Sequence, residues 1–579
     1  MVIALFLFLW SAFNLASCSK LLVQQETTFY PEPSELLRME ATAGSYPDAD
    51  MVYLLDEVVT EVSESGESLK TVHMVVKVLT EYGKSHGECE IGFNFRTETV
   101  TLLYARTIHP DGSVISLKKD AIKTITPHSR FPKYDDYKEM SFSMPGIGIG
   151  SIIDYKYVKK STPDIDGEFN CHFFFQDSNP ILVSRHKVIA PEAMEINFYL
   201  RNPLNGLNQA PVVSSGEGKR SYLWEYKNIP QIPDEERMPP SEDIAFQLYG
   251  TTMSSWDDFC GWWWSQAKEK SEADRAINEK VRELTGDLNG VNEKSVALFD
   301  YVKKDIRYVQ ISLGKSGLVP KSASEVYENK YGDCKDRSAL LISMLRAAGI
   351  AAYYVLIPTR STGNLIKDFP YPFQFNHCIV AIETDDGFQF FDPIATDSRH
   401  DDLPGMDQDR DVMVIKEGNP VFCKTPLGDA KANGTFSQKR ILINPDGSAI
   451  INLSEQYVGS AETSVRSNLS ETLPTDLRKS LEEFVYKNFQ GARLVDYSYS
   501  DPLDLSSKLQ TSLKCHANQY YGKAGDMIIL PDLGDCGDCP AAGPVERKHP
   551  IVLRQDPLRG MRCALIFQEG LMSILCRTV

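Results

Sequence analysis

Three residues in this chain have the types and spacing to do chemistry together: Cys334, His377 and Asp392. Cys334 lies in Lys330-Tyr-Gly-Asp-Cys-Lys-Asp-Arg-Ser-Ala-Leu-Leu341. Gly332 and Asp333 read as the end of a loop, and a helix is predicted to start at or beside Cys334. Its apolar face is Leu340, Leu341, Met344, Leu345 and Ala348. A thiol at a helix N-terminus feels the partial positive charge of free backbone N–H groups. That charge favours the thiolate, which is the nucleophile. The same N–H groups can hold an oxyanion once a carbonyl is attacked. A thiolate gains from an imidazole partner, and the imidazole needs an orienting group. Asn376-His377-Cys378-Ile379-Val380 opens one predicted strand, and Phe390-Phe391-Asp392-Pro393 closes the next. Asp386-Gly387 marks a hairpin between them, which would bring His377 and Asp392 side by side.

Each residue has a plainer reading as well. Cysteine is among the most buried residue types, so a single Cys is usually packing. Cys334 departs from that because Gly-Asp precedes it and Lys335, Asp336 and Arg337 follow it. Cys378 should point to the strand face opposite His377 and belong to the core. Asp392 before Pro393 has the makings of a turn residue. The remaining histidines show no metal-ligand spacing, and no metal site is expected. Cys536 and Cys539 form one CxxC with no partner pair to complete a zinc site, so a local disulfide or two thiols is the expectation.

The elements that must position these residues can be read from the patterning. The chain of 579 residues is too long for one core and suggests three or four units. Residues from about Met51 to Tyr249 look β-rich, with Thr71 to Leu79 apolar and β-branched as a strand should be. Thr101 to Leu117 reads as two strands joined at Pro110-Asp111-Gly112. Several short strands with regular turns suggest a sandwich. Ile229 to Pro240, rich in Pro and acids, looks like a linker. The middle section alternates helices and strands, as an α+β unit does. Glu293 to Ile306 is amphipathic, and Trp262, Trp263 and Trp264 are too close in sequence to face one core, so one or two are expected to bridge to a neighbouring unit. From Thr435 β character returns. Arg440 to Leu453 is a predicted hairpin turning at Asn444-Pro-Asp-Gly447, and Leu473 to Phe489 holds a helix with Leu477, Leu481, Phe484 and Val485 on one face. The units are placed at 45–245, 250–425 and 433–579.

Bulk properties narrow the function. The net charge of −18, with no basic block, argues against a role in binding nucleic acid. Val2 to Phe13 is almost wholly apolar and too short to span a bilayer comfortably, and Ala16, Ser17 and Cys18 follow it. Residues 1–18 therefore read as a secretory leader, although no Lys or Arg precedes the apolar run. Leu15-Ala16-Ser17-Cys18 also resembles a lipobox, which would make Cys18 a lipidation site and a membrane anchor.

The stretches YGDCKDRSALLISMLRAAGI, NHCIV and FFDPIA resemble the transglutaminase-like superfamily, whose core is papain-like. The resemblance is to its bacterial branch, in which a β-rich domain of unknown function precedes the core and a further β domain follows it. ARTIHPDGSVISL and MPGIGIGSIIDYKY resemble the first of these, and RKHPIVL, from Arg547, the second. The implied fold is multidomain α+β: an N-terminal β-sandwich, a transglutaminase-like core, and a C-terminal β-rich domain, which is expected to be cut short against the family pattern. The resemblance implies Cys334 as nucleophile, His377 as general base and acid, and Asp392 as orienter, with Gln310 as an oxyanion candidate. It implies a protein or peptide substrate and a place in the bacterial periplasm or envelope. No cofactor is implied, and no acidic loop resembles an EF-hand. Three functions stay open: thiol-dependent acyl transfer or hydrolysis through a thioester, a cysteine endopeptidase, and an envelope scaffold with a silent core.

Overall fold

The β-branched run that marks Thr71 to Leu79 as strand material lies at the centre of an eight-stranded sheet. Ser68–Val78 pairs with Met51–Val62 on one side and Ile152–Ser161 on the other. From edge to edge the order is Val212–Gly216, Lys219–Ile229, Ile181–Pro191, Met51–Val62, Ser68–Val78, Ile152–Ser161, Glu98–Ile108 and Val114–Ser116. One pair, Met51–Val62 with Ile181–Pro191, is parallel, and the others are antiparallel. The structure is a computed structural model. It describes residues 32–39, 41–127, 137–309, 318–428, 433–489, 491–505, 507–524, 527–529, 548–550, 561–568 and 571–578. The leader, Cys18, Gln310, Cys536 and Cys539 lie outside the described residues.

Two three-stranded sheets cover this large one. Phe173, Phe175 and Leu248 pack on Val58, Val72 and Trp224, while Cys89, Ile91 and Phe142 pack on Val76, Ala105 and Ile153. Sheet on sheet is how an alternating strand buries its apolar face. Gln247–Thr251, buried at all five positions, pairs with Asn197–Arg201 and Asn170–Phe174. The first unit thus runs past residue 245, because a buried strand must find ladder partners for its backbone. The expected linker after Ile229 is packed rather than free. Ile232 N–H donates to the Asp177 carbonyl at 2.8 Å, and the buried Glu235 carboxylate accepts the N–H groups of Lys548 and His549 at 2.7 and 3.0 Å.

In the core, five helices among the described residues precede or flank a five-stranded antiparallel sheet ordered Gly387–Phe391, His377–Thr384, Ala352–Ile357, Asp411–Lys416 and Asn419–Lys424. The helix Cys334–Ala347 lies at its centre. Every residue from Asp336 to Leu345 is buried, so the single apolar face expected for it is wrong. The helix is enclosed on all sides, by the helices Val291–Asp305 and Ala323–Asn329 and by the sheet. Ala348, expected on that face, is only half-buried at the helix end. The tryptophans also differ from expectation. Trp263 is fully enclosed and donates its indole N–H to the Leu318 carbonyl at 2.8 Å. Trp262 and Trp264 pack on the same cluster, so the three indoles wrap one core rather than bridging to a neighbour.

The third part is a six-stranded sheet ordered Ala492–Tyr499, Gln510–Ala517, Ala449–Val458, Gly434–Ile443, Leu571–Thr578 and Met561–Gln568. The hairpin turns where expected, and Gly447 takes φ +93°, a conformation that favours glycine. Helix Pro474–Asn488 buries Leu477 and Val485, but Phe484 is exposed, and a second helix, Ser460–Glu471, packs on strands Gly434–Ile443 and Ala449–Val458. No helix among the described residues is long and apolar enough to cross a membrane.

Leu341 is fully enclosed in the central helix. Truncation to Ala should cost about 3 kcal/mol, read by denaturant unfolding, since its neighbours cannot collapse into the void. A loss below about 1 kcal/mol would mean the helix is not packed as described.

Candidate active site

The helix start is built by its flanking residues. Asp333 is the N-cap, and its Oδ1 accepts the N–H groups of Lys335 at 2.9 Å and Asp336 at 3.1 Å. Asp336 answers by accepting the Asp333 N–H at 3.2 Å, and it also accepts the Lys321 N–H at 2.8 Å. Gly332 is required here, because a Cβ on it would lie 2.5 Å from the Asp336 Cβ. Cys334 is the first helical residue, and its side chain is half-exposed. The cap changes one expectation. Two of the free N–H groups offered to an oxyanion are already taken by Asp333, which leaves that of Cys334 itself.

The hairpin forms as the Asp386-Gly387 turn suggests, with Val380 opposite Phe391 and Thr384 opposite Gly387. His377 opens its strand, and Asp392 follows directly on its partner strand. His377 Nε2 lies 3.3 Å from Asp392 Oδ1. The contact is close enough for an ion pair, although Nε2 is not aligned for a regular hydrogen bond. Cys334 lies close enough to the same imidazole to help raise its pKa. Asp392 also accepts the Ile394 N–H at 3.0 Å, so its role as a turn residue and its place beside His377 are compatible. Cys378 points away into the core, and burial pushes its thiol pKa well up.

The electrostatics follow from this placement. Burial alone would lower the pKa of His377, but the charge of Asp392, together with Cys334, raises it well above its ordinary value. Burial likewise favours a neutral Asp392, and His377 reverses this and holds it below the usual carboxylate range. A half-exposed thiol thus sits beside an imidazole and a carboxylate that are both screened from water.

Three further residues reach this site. Tyr308, beside Cys334, has its phenol pKa pushed up to about 12 by burial and then by the Cys334 and Asp333 charges. Arg337, fully enclosed one turn along the helix, donates to the carbonyls of Val302 and Lys303 and is drawn to Asp392. Asp407 stands beside Asp392, at 0% exposure. None carries a motif. Asp407 falls among Asp409 and Asp411 in a stretch that reads as a solvated acidic loop. Among the described residues, one group of donors is close enough to hold a metal ion: one atom each of His377, Asp392 and Asp407, all within 4.8 Å of one another. An ion there would take the nitrogen that faces Asp392 and need both carboxyls ionised.

A cysteine at a helix start, backed by a histidine and an aspartate on adjacent strands, is the arrangement of a papain-like thiol site. Residues 276–393 match the model of the transglutaminase-like superfamily, and residues 64–233 match a domain of unknown function with a solved structure, DUF3857. The transglutaminase-like match thus falls on the core that holds Cys334, His377 and Asp392, behind the N-terminal DUF3857 match. No curated protein matches it. Among solved structures, a candidate protease from Parabacteroides distasonis is similar, with TM-score 0.57 and 14% identity over 81% of this chain and 94% of that one. A candidate cysteine protease from Cytophaga hutchinsonii is 14% identical over 39% of this chain and 79% of that one, with TM-score 0.17. At such identity the first shows shared fold.

The shifted pair makes a pH prediction. His377 is raised from 6.5, so its contribution to stability is complete below that value and lost as pH climbs through the raised one. Asp392 is lowered from 3.8, so its contribution holds above that value and is lost as pH falls through the lowered one. His377→Gln should therefore lower the core's thermal midpoint more near about pH 6 than at an alkaline pH above the raised value. Equal losses at the two pH values would show that the pair is not ionised as described.

Proposed function

We propose that this protein is a thiol-dependent hydrolase or acyltransferase acting on carboxamide or peptide carbonyls, with Cys334 as nucleophile, His377 as acid and base, and Asp392 as orienter. The observation that carries the reading is the buried ion pair of His377 and Asp392, with the half-buried thiol of Cys334 near enough to act on the same imidazole.

In the first step the Cys334 sulfur forms a bond to the carbonyl carbon. The charge moves to the carbonyl oxygen, where the Cys334 N–H can donate to it. The C–N bond then breaks, and His377 gives its proton to the departing amine or ammonia. A thioester remains. Water or a second amine attacks it, His377 takes the incoming proton, and the C–S bond breaks to return the thiolate and imidazolium. Asp392 keeps the imidazole ring oriented and its charge balanced through both steps. The choice between water and amine belongs to access at the thioester.

Export is part of this reading and rests on residues 1–18 alone. The seven cysteines with described side chains are all free thiols, and five of them are buried. Among the described residues, an exported nucleophile would thus have few exposed thiols to pair with.

Casein incubated with the protein and a fluorescent primary amine should gain label or be cleaved, and Cys334→Ala should lose at least about 1,000-fold of either activity. Label without cleavage would indicate amine transfer, and cleavage without label hydrolysis. Iodoacetamide should modify Cys334 faster than the other thiols at neutral pH, and more slowly in His377→Ala. Uniform labelling would favour a scaffold with a silent core.

A further inference from the structure

Asp407 is the one member of the buried cluster that the thiol chemistry does not use. It lies at 0% exposure, and neither of its side-chain oxygens accepts a hydrogen bond from any described residue. One of its oxygens comes within 4.8 Å of both the Asp392 oxygen and the His377 nitrogen. His377 is already paired with Asp392, and the arginine on the same loop does not answer Asp407. Arg410 spends its guanidinium on the Pro358 carbonyl at 2.9 Å, on Asn364 Oδ1 at 3.0 Å and on the Gly363 carbonyl. A carboxylate in this position would be a buried charge with no donor, pressed against a second carboxylate, and two such groups cannot both ionise.

The position is nevertheless held firmly. Thr425 Oγ1 donates to the Asp407 carbonyl at 2.5 Å, Gln408 Nε2 to the Leu403 carbonyl at 2.7 Å, and Arg360 to the Gln408 carbonyl at 2.9 Å. The loop is thus built to keep this side chain against Asp392, although an apolar residue would avoid the desolvation cost. A proton resolves the conflict. A neutral acid needs no counter-charge, and its O–H can donate to the Asp392 oxygen that faces it.

We propose that Asp407 is a positioning residue that works as a neutral carboxylic acid, donating a hydrogen bond to Asp392 and so holding that carboxylate as an anion turned toward His377. The proposal rests on the thiol reading above. Burial, then the neighbouring Asp392 charge, pushes the Asp407 pKa well up, in agreement with the geometry. The other titratable groups facing the two acids are His377 on its strand, Arg337 on the helix, Tyr308, and Arg410 on the same loop. Losing the donor would make Asp392 easier to protonate, whereas losing a second anion would make it harder.

The test is the rate of Cys334 alkylation by iodoacetamide against pH, followed by mass spectrometry of its peptide in the full-length protein. Asp407→Asn keeps a neutral donor in the same shape and should stay within about threefold of wild type, with the acid limb of the profile unmoved. Asp407→Leu, or Asp407→Ala if the leucine does not fold, removes the donor and should slow alkylation about tenfold or more, with the acid limb moved to higher pH. An Asn variant as slow as the donorless one, or an acid limb moved to lower pH, overturns the proposal. So does a block of the wild type by zinc that Asp407→Asn abolishes, since that would make Asp407 an ionised ligand. A wild-type Cys334 no faster than the other thiols overturns the thiol reading and this proposal together. A reactive wild type with a failed Asn variant overturns this proposal alone.

Discussion

A charged imidazole placed out of water needs a counter-charge within a few ångströms, and here His377 has Asp392 at 3.3 Å. Much of the core's architecture around the site serves that one contact. Two antiparallel strands must meet in a fixed register so that the first residue of one lies near the residue following the other. The Cys334 helix must be buried on all sides so that its first residue is held against the imidazole without being covered. The cap on that helix is equally constrained, since Gly332 has no room for a Cβ and Asp333 must satisfy two N–H groups at once.

The same constraint reaches the neighbouring part of the chain. Arg201, on a strand of the N-terminal part, binds Asp243 at 2.6 Å and the Asn364 carbonyl at 3.0 Å. Asp243 also accepts the Asn364 N–H at 2.7 Å. Arg410 then holds Gly363 and Asn364 from the core side. A run of polar contacts therefore leads from the N-terminal sheets to the loop that carries Asp407. Each member is bonded within the run, as buried polar groups must be.

Much of the site was legible because it obeys local rules. The cap and helix start around Cys334 follow from Gly-Asp and the charged residues after it, and the Asp386-Gly387 hairpin follows from turn chemistry. The points that failed are those set by distant neighbours. The Cys334 helix reads as one-sided because Arg337 and Ser338 look like surface residues, yet both are enclosed once helices and sheet close over them. Three adjacent tryptophans read as too many for one core, yet one is enclosed and two lie against its rim. Phe484 looks buried by periodicity and is exposed, because its helix has only one sheet face to rest on.

The sequence by itself determined the transglutaminase-like likeness of the core, the class of each part of the chain, and the local geometry of Cys334, since capping and hairpin turns act over a few residues. Tertiary structure alone decided which N–H groups remain for an oxyanion, which residues are sealed from water, and that Asp407 stands beside Asp392. The physical reason is range. Burial and the pairing of charges depend on groups far apart in sequence, and the environment of Asp407 is made by Asp392, His377, Arg410 and Thr425, which no local pattern links.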